Sequence, residues 1–420
     1  MSAVAMRPAA ATLLDRLRGL MLWLVGFSGA FVFMEPSPYE FVALATMALF
    51  FLTGLPLRPS HAPLLLLLVA YGTGLSIGLV PVIGADKTIM WTTVSWFLIG
   101  TALFYACALA EDTGRRLKLL LAGYVAAALI AALLAILAYF QFIPGAEELL
   151  RYSRARGTFK DPNVLGPFLV LPALLAMYSV FSGGWRGLVR GGGAFVLFAI
   201  ALLLTFSRGA WAHFAISVVV FLGLLFALSD SARERTRIVL ASLFAASLVA
   251  VALVALLSTE TVGALFAQRA TLDQSYDVGY LGRFGRHVLG LQLALDHPFG
   301  IGPLQFARLF REDAHNVYLN SFMAGGWIAG LSYLLVVVLT LIVGFRGAIA
   351  KTPWRPALLA VFAAFVGIVV ESAIIDSDHW RHFWLLVGVL WGGAIAAARF
   401  TAQRPSRTRE ARLTRAHATA

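Results

Sequence analysis

The chain has 420 residues, 60% of them hydrophobic and only 13% charged, with a formal net charge of +12. Soluble domains carry roughly twice that charged fraction, and a mean hydropathy of +0.84 excludes an ordinary water-soluble globular protein. The single Cys107 excludes an intrachain disulfide and a thiolate metal cluster, and reads as a small core residue.

Taken in chain order, apolar runs predict about twelve transmembrane helices, since roughly 20 apolar residues cross a bilayer core. They fall near 19–34, 39–57, 62–83, 88–110, 117–142, 164–181, 191–206, 210–228, 237–257, 317–344, 356–375 and 381–398. Helices are required because backbone polar groups in lipid need partners within their own segment. No cleavage pattern follows the first run, so 19–34 is expected to remain as the first helix. The expected architecture is an all-α polytopic membrane protein in four parts. Residues 1–257 hold helices one to nine, 258–316 form an outer loop domain, 317–398 hold the last three helices, and 399–420 form a basic tail. Glycine pairs such as Gly72/Gly74 and Gly325/Gly326 are expected where helices pack closely.

The positive charge is distributed as a topology signal, which argues against nucleic acid as a partner. Arg7, Arg16, Arg18, Arg58, Arg115, Arg116, Lys118, Arg186 and Arg190 all fall on one side of the predicted helices. Arg233, Arg235, Arg237, Arg346, Lys351, Arg355 and the arginines between 399 and 415 fall on that side too. The positive-inside rule then puts both termini in the cytoplasm, with the tail along an anionic leaflet of membrane lipids. The exceptions carry the functional signal. Arg151, Arg154, Arg156 and Lys160 follow helix five, Arg208 lies in Ser207-Arg208-Gly209, and Arg269, Arg283, Arg286, Arg308 and Arg311 lie in the long loop. Cations on the translocated face oppose the topology, so an anionic ligand there is the direct explanation. Arginine suits phosphate, because its planar fork donates two parallel charge-assisted hydrogen bonds.

Arg208 interrupts the apolar stretch 194–228. An arginine at that depth is paired or functional, or else snorkels from a hairpin turn. His213 follows on the same helix and reads first as a packed core histidine. In the loop, the spacing of Leu281, Phe284, Val288, Leu291 and Leu295 predicts an amphipathic helix over 283–297. Asp296-His297-Pro298 ends it, and Gly300-Ile301-Gly302-Pro303 forces a turn. Such a helix would lie at the membrane surface and roof a cavity in the bundle. The loop closes on Asp313-Ala314-His315-Asn316-Val317-Tyr318-Leu319, whose His315 titrates near neutrality. Glu371 is a carboxylate near a helix end, either solvated or paired with an arginine. Asp376, Asp378, His379 and His382 have a spacing that permits a divalent metal but read first as helix capping beside Trp380 and Trp384. No P-loop or dinucleotide fingerprint is present, so no nucleotide cofactor is implied.

Four motifs in this order resemble the O-antigen ligase and polymerase superfamily: Arg156-Gly157-Thr158-Phe159-Lys160-Asp161-Pro162-Asn163, Thr205-Phe206-Ser207-Arg208-Gly209-Ala210, Gly282-Arg283 with His297-Pro298-Phe299-Gly300-Ile301-Gly302, and His315-Asn316-Val317-Tyr318-Leu319. The resemblance spans residues 150–325. It implies a GT-C-like membrane glycosyltransferase that moves a glycan from undecaprenyl pyrophosphate to an acceptor, on the periplasmic face of the bacterial inner membrane and without a metal. Carried over by residue, His315 is the implied general base, and Arg208 and Arg283 the implied pyrophosphate ligands. Arg154, Arg156, Lys160, Asn163, Arg286, Asn316 and Tyr318 are expected to shape the substrate surface. One departure stands out. His287 occupies a position where the family often has an aromatic residue, leaving either a packing role or a second titrating group. The expected reaction is ligation to a lipid A–core hydroxyl. A polymerase extending undecaprenyl-linked glycan and a transporter of lipid-linked glycans or anions remain the alternatives.

Overall fold

The computed structural model describes residues 12–270 and 279–403. The outer parts of both termini, including the basic tail beyond 403, and loop residues 271–278 lie outside the described residues. The helices are α1 (Leu13–Ser28), α2 (Pro38–Thr53), α3 (Ala62–Leu79), α4 (Thr88–Leu109), α5 (Thr113–Tyr139), α6 (Pro162–Ser182), α7 (Gly184–Leu204), α8 (Arg208–Ala227), α9 (Ala232–Leu257), α10 (Glu260–Ala270), α11 (Arg283–Asp296), α12 (Gln305–Phe310), α13 (Val317–Ile349), α14 (Arg355–Glu371) and α15 (Arg381–Ala402). Among the described residues nine are long and apolar enough to cross a membrane: α3 to α9, α13 and α15. The chain is a multi-pass membrane protein. At 16, 16 and 17 residues, α1, α2 and α14 cover only about 24–26 Å at 1.5 Å per residue, short of a roughly 30 Å hydrocarbon core.

Apolar residues surround most of these helices, so packing is decided by backbone approach rather than by one greasy stripe. The most intimate pairs are α6 with α7, α3 with α13, α1 with α5, α4 with α15 and α8 with α14. Small residues make this possible. A Cβ added at Gly78 of α3 would lie 2.1 Å from the Ala324 carbonyl oxygen of α13, and one at Gly123 of α5 would lie 2.0 Å from that of Trp23 in α1. The predicted glycine contacts at Gly74 and Gly325 are of the same kind.

One element departs from the all-helical expectation. Between α5 and α6, strands β1 (Leu150–Arg151) and β2 (Arg154–Ala155) form a minimal antiparallel ladder, Leu150 opposite Ala155 and Arg151 opposite Arg154. Tyr152 and Ser153 both take positive φ, 51° and 57°, as a two-residue type I′ turn demands. Neither residue type signals that turn in sequence, so the hairpin is visible only in the structure.

The long loop is stitched to α13 through a break in that helix. Gly325 and Gly326 leave helical geometry, freeing backbone groups that an unbroken helix would use itself. The freed Met323 carbonyl accepts from the amides of Ile301 (2.7 Å) and Gly302 (3.1 Å), and the Trp327 amide donates to the Pro298 carbonyl at 2.9 Å. Gly326 has φ +67°, and a Cβ there would lie 2.3 Å from the Pro298 oxygen. The segment from Pro298 to Gly302 is therefore a clamp. A small satellite core of Leu289, Phe306, Ala314 and Met323 completes the attachment. The amphipathic helix is present as α11, but its apolar stripe of Phe284, Val288, Leu291 and Leu295 is exposed, as is Leu281 just before it. The bundle side is made instead by Arg286, Leu289, Gly290 and Ala294.

Candidate active site

A polar cavity of about 160 Å³ opens where three helices begin, and a single water requires about a tenth of that. Its lining comprises Arg154, Asn163, Phe206, Ser207, Arg208, Gly209, Arg283, Glu371, Ile374 and Ile375. Asn163 is the second residue of α6, Arg208 the first of α8 and Arg283 the first of α11. Each helix start presents backbone N–H groups and the positive end of its dipole, an arrangement that favours anions. Three arginines add full charges to those partial ones.

Local chemistry sets each position. The Asp161 side chain caps α6 by accepting from the Asn163 amide at 2.8 Å, and Ser207 caps α8 by accepting from the Ala210 amide at 3.4 Å. Arg154 is held by its Nε donating to the Thr205 carbonyl at 2.6 Å and its Nη2 donating to Asn163 Oδ1 at 2.7 Å. The short hairpin and the turn before α8 are thereby locked together behind the cavity. Glu371, the last residue of α14, is buried, and its Oε2 lies 2.8 Å from His213 Nδ1. It pairs with that histidine and not with an arginine. Two glycines permit this. A Cβ at Gly209 would lie 2.8 Å from Glu371 Oε1, and one at Gly367 would lie 2.2 Å from His213 Cδ2.

His315 lies just outside this lining. Its Nδ1 donates to Asp376 Oδ2 at 3.3 Å, and its backbone has φ +51°, a conformation a non-glycine residue rarely takes without support from its surroundings. The hydrogen bond to Asp376 holds the imidazole above its ordinary range, against burial and the Arg283 guanidinium, which act in the other direction. Arg283 thus lines the cavity and acts electrostatically on His315. Asp313, close to both Asp376 and His315, is pushed up to about 6 by burial. Burial holds His287 below its ordinary range.

Of the residues singled out from sequence, Arg154, Asn163, Arg208 and Arg283 come together in one cavity, with His315 beside it. Others do not join them. Arg156 donates to the Glu148 carbonyl, Lys160 pairs with Glu35 at 3.0 Å, and buried Arg286 pairs with Glu312. The Asn316 side chain caps α13 by accepting from the Leu319 amide, and the Tyr318 hydroxyl donates to the Val369 carbonyl at 2.6 Å. The acidic and histidine residues from Asp376 to His382 also disperse. Asp376 serves His315, Asp378 pairs with His379 at 3.3 Å, and His382 stacks on Trp380. Nothing in the sequence marks Asp376 as the partner of His315, since 61 residues separate the two.

Three helix starts and three arginines thus surround one polar cavity of a membrane protein, with a carboxylate-bound histidine close by. Residues 193–334 match the family described as O-antigen ligase, which makes this segment an O-antigen ligase family domain and is consistent with membership of that superfamily. The matched segment contains Arg208, Arg283 and His315 and runs from α7 into α13. No curated protein matches the chain.

Proposed function

We propose that the protein is an O-antigen ligase, transferring glycan from undecaprenyl pyrophosphate to a lipid A–core hydroxyl at the periplasmic face of the inner membrane. The observation that carries this reading is the convergence of Arg208, Arg283 and Arg154 on a cavity at three helix N-termini, with His315 alongside. An acceptor hydroxyl attacks the anomeric carbon of the donor sugar. Its proton passes to His315 Nε2, since Nδ1 is committed to Asp376, and the Asp376 carboxylate stabilises the imidazolium that forms. The bond between the anomeric carbon and the pyrophosphate oxygen breaks, and the growing negative charge is met by Arg208 and Arg283. A single displacement inverts the anomeric configuration, and no metal enters any step. Arg156 and Lys160 contribute to the basic outer face, while the exposed apolar stripe of α11 rests on the membrane surface.

The test is purified protein in detergent with EDTA, lipid-linked glycan as donor and lipid A–core as acceptor. Glycan appearing on the core supports the proposal. Donor chains that lengthen while the core stays bare would make the protein a polymerase. Donor that binds without any turnover would shift the reading to transport.

A further inference from the structure

Glu371 lines the arginine cavity with His213 paired behind it, and neither takes part in the mechanism above. Both side chains are only 1% exposed. His213 Nε2 lies 2.9 Å from the Ala364 carbonyl oxygen. A carbonyl only accepts, so Nε2 carries a hydrogen. The Nδ1 contact to Glu371 Oε2 at 2.8 Å then needs one more proton, held on either atom. In both arrangements the pair has no net charge. The remaining oxygen, Glu371 Oε1, is buried without a hydrogen-bond partner among the described residues, although Glu371 lines the cavity with Arg208 and Arg283.

A bare carboxylate here would cancel part of the positive charge that an anion requires. Pairing with His213 removes that conflict and leaves a neutral hydrogen-bond acceptor beside the arginines. An acceptor repels phosphate oxygens, so its partner must be a donor group carried by the same ligand. An unsatisfied buried acceptor is destabilising, and a ligand donor would relieve it. We infer that Glu371 Oε1 accepts a hydrogen bond from a ring substituent, hydroxyl or amide N–H, of the sugar attached directly to the lipid pyrophosphate. Glu371 is then a donor-sugar specificity residue, and His213 a positioning residue that keeps the site neutral. The donor sugar is favoured over the acceptor because Glu371 shares its cavity with the arginines, whereas His315 lies outside that lining. Hydrogen bonds at the 2-position of a sugar also strengthen as positive charge develops at the anomeric carbon.

The inference rests on the proposed ligase reading, and its test separates the two. Full-length protein in nanodiscs is titrated with bare undecaprenyl pyrophosphate, with the same lipid carrying one sugar, and with phosphatidylglycerol as control. The parent should bind the sugar-bearing lipid about tenfold more tightly than the bare one, the worth of one well-placed hydrogen bond. Glu371→Met should erase that preference and leave bare-lipid affinity unchanged. Glu371→Gln should keep it, because the amide can donate to His213 Nδ1 and still present a carbonyl oxygen to the cavity. His213→Ala should weaken both pyrophosphate lipids by uncovering the carboxylate charge. A parent that binds both lipids equally, or Glu371→Met weakening both equally, overturns this inference while the ligase reading stands. A parent that binds neither above phosphatidylglycerol overturns both.

Discussion

Replacing Asp376 with asparagine should alter the pH profile of transfer in a direction the geometry dictates. In the proposed mechanism His315 acts as base in its unprotonated form, and Asp376 raises its affinity for a proton. The parent should therefore lose activity on the acid side at a pH above the ordinary histidine value of 6.5. In the Asp376→Asn variant the amide oxygen can still accept the Nδ1 hydrogen bond but carries no charge, so the acid limb moves to lower pH. The plateau falls as well, because the imidazolium formed in the transition state loses its counter-charge. Two unit charges at 4 Å attract by about 1 kcal/mol in water and about 4 kcal/mol at an effective dielectric of 20. His315 is 40% and Asp376 23% exposed, so screening leaves about 1–2 kcal/mol, or roughly a five- to thirtyfold loss of plateau rate. The two profiles then converge towards low pH. The assay is initial-rate transfer between pH 5 and 9 at subsaturating donor. An acid limb that stays in place or moves upward in Asp376→Asn would refute the assignment of His315 as base.

Other expectations follow from single contacts. Arg208→Lys keeps the charge but loses the planar fork, so kcat/KM for the lipid pyrophosphate should fall about ten- to hundredfold, read from initial rates. Tyr318→Phe removes the hydrogen bond to the Val369 carbonyl and should cost about 1 kcal/mol of stability, seen as a lower thermal midpoint at unchanged kcat/KM. A fall in kcat/KM without destabilisation would instead place the hydroxyl on substrate. Asp313 titrates at about 6 in the folded protein, against 3.8 ordinarily. Folding thus gains from its proton below about pH 4, and that gain is lost as pH rises through 6. Asp313→Asn should raise the thermal midpoint at pH 7 and leave it nearly unchanged at pH 4, measured by tryptophan fluorescence.

The membrane helices were legible because lipid imposes a long apolar run on each, although among the described residues nine of the twelve expected crossings are helices long and apolar enough to span. The amphipathic helix over 283–297 was equally legible, although its apolar face points away from the bundle. Arg208 and Arg283 were recoverable because a cation on the expected outer face is costly and so conspicuous. Contacts across long separations left no trace in the sequence. Glu371 meets His213 158 residues away, and the spacing around Asp376, read first as helix capping, gave no sign of a partner for His315. Asn316 and Tyr318 show the converse. They stand next to His315 in the chain, but helix capping and a backbone carbonyl claim their side chains. The clamp from Pro298 to Gly302 reads as a turn in sequence, and what it holds is visible only with the broken geometry of α13.

The most direct measurement is single-turnover transfer by His315→Ala at saturating donor, with donor affinity measured on the same preparation. If the arginine cavity binds the pyrophosphate and His315 takes the acceptor proton, donor will bind with parental affinity while transfer drops to background. Transfer at the parental rate from His315→Ala would contradict the account.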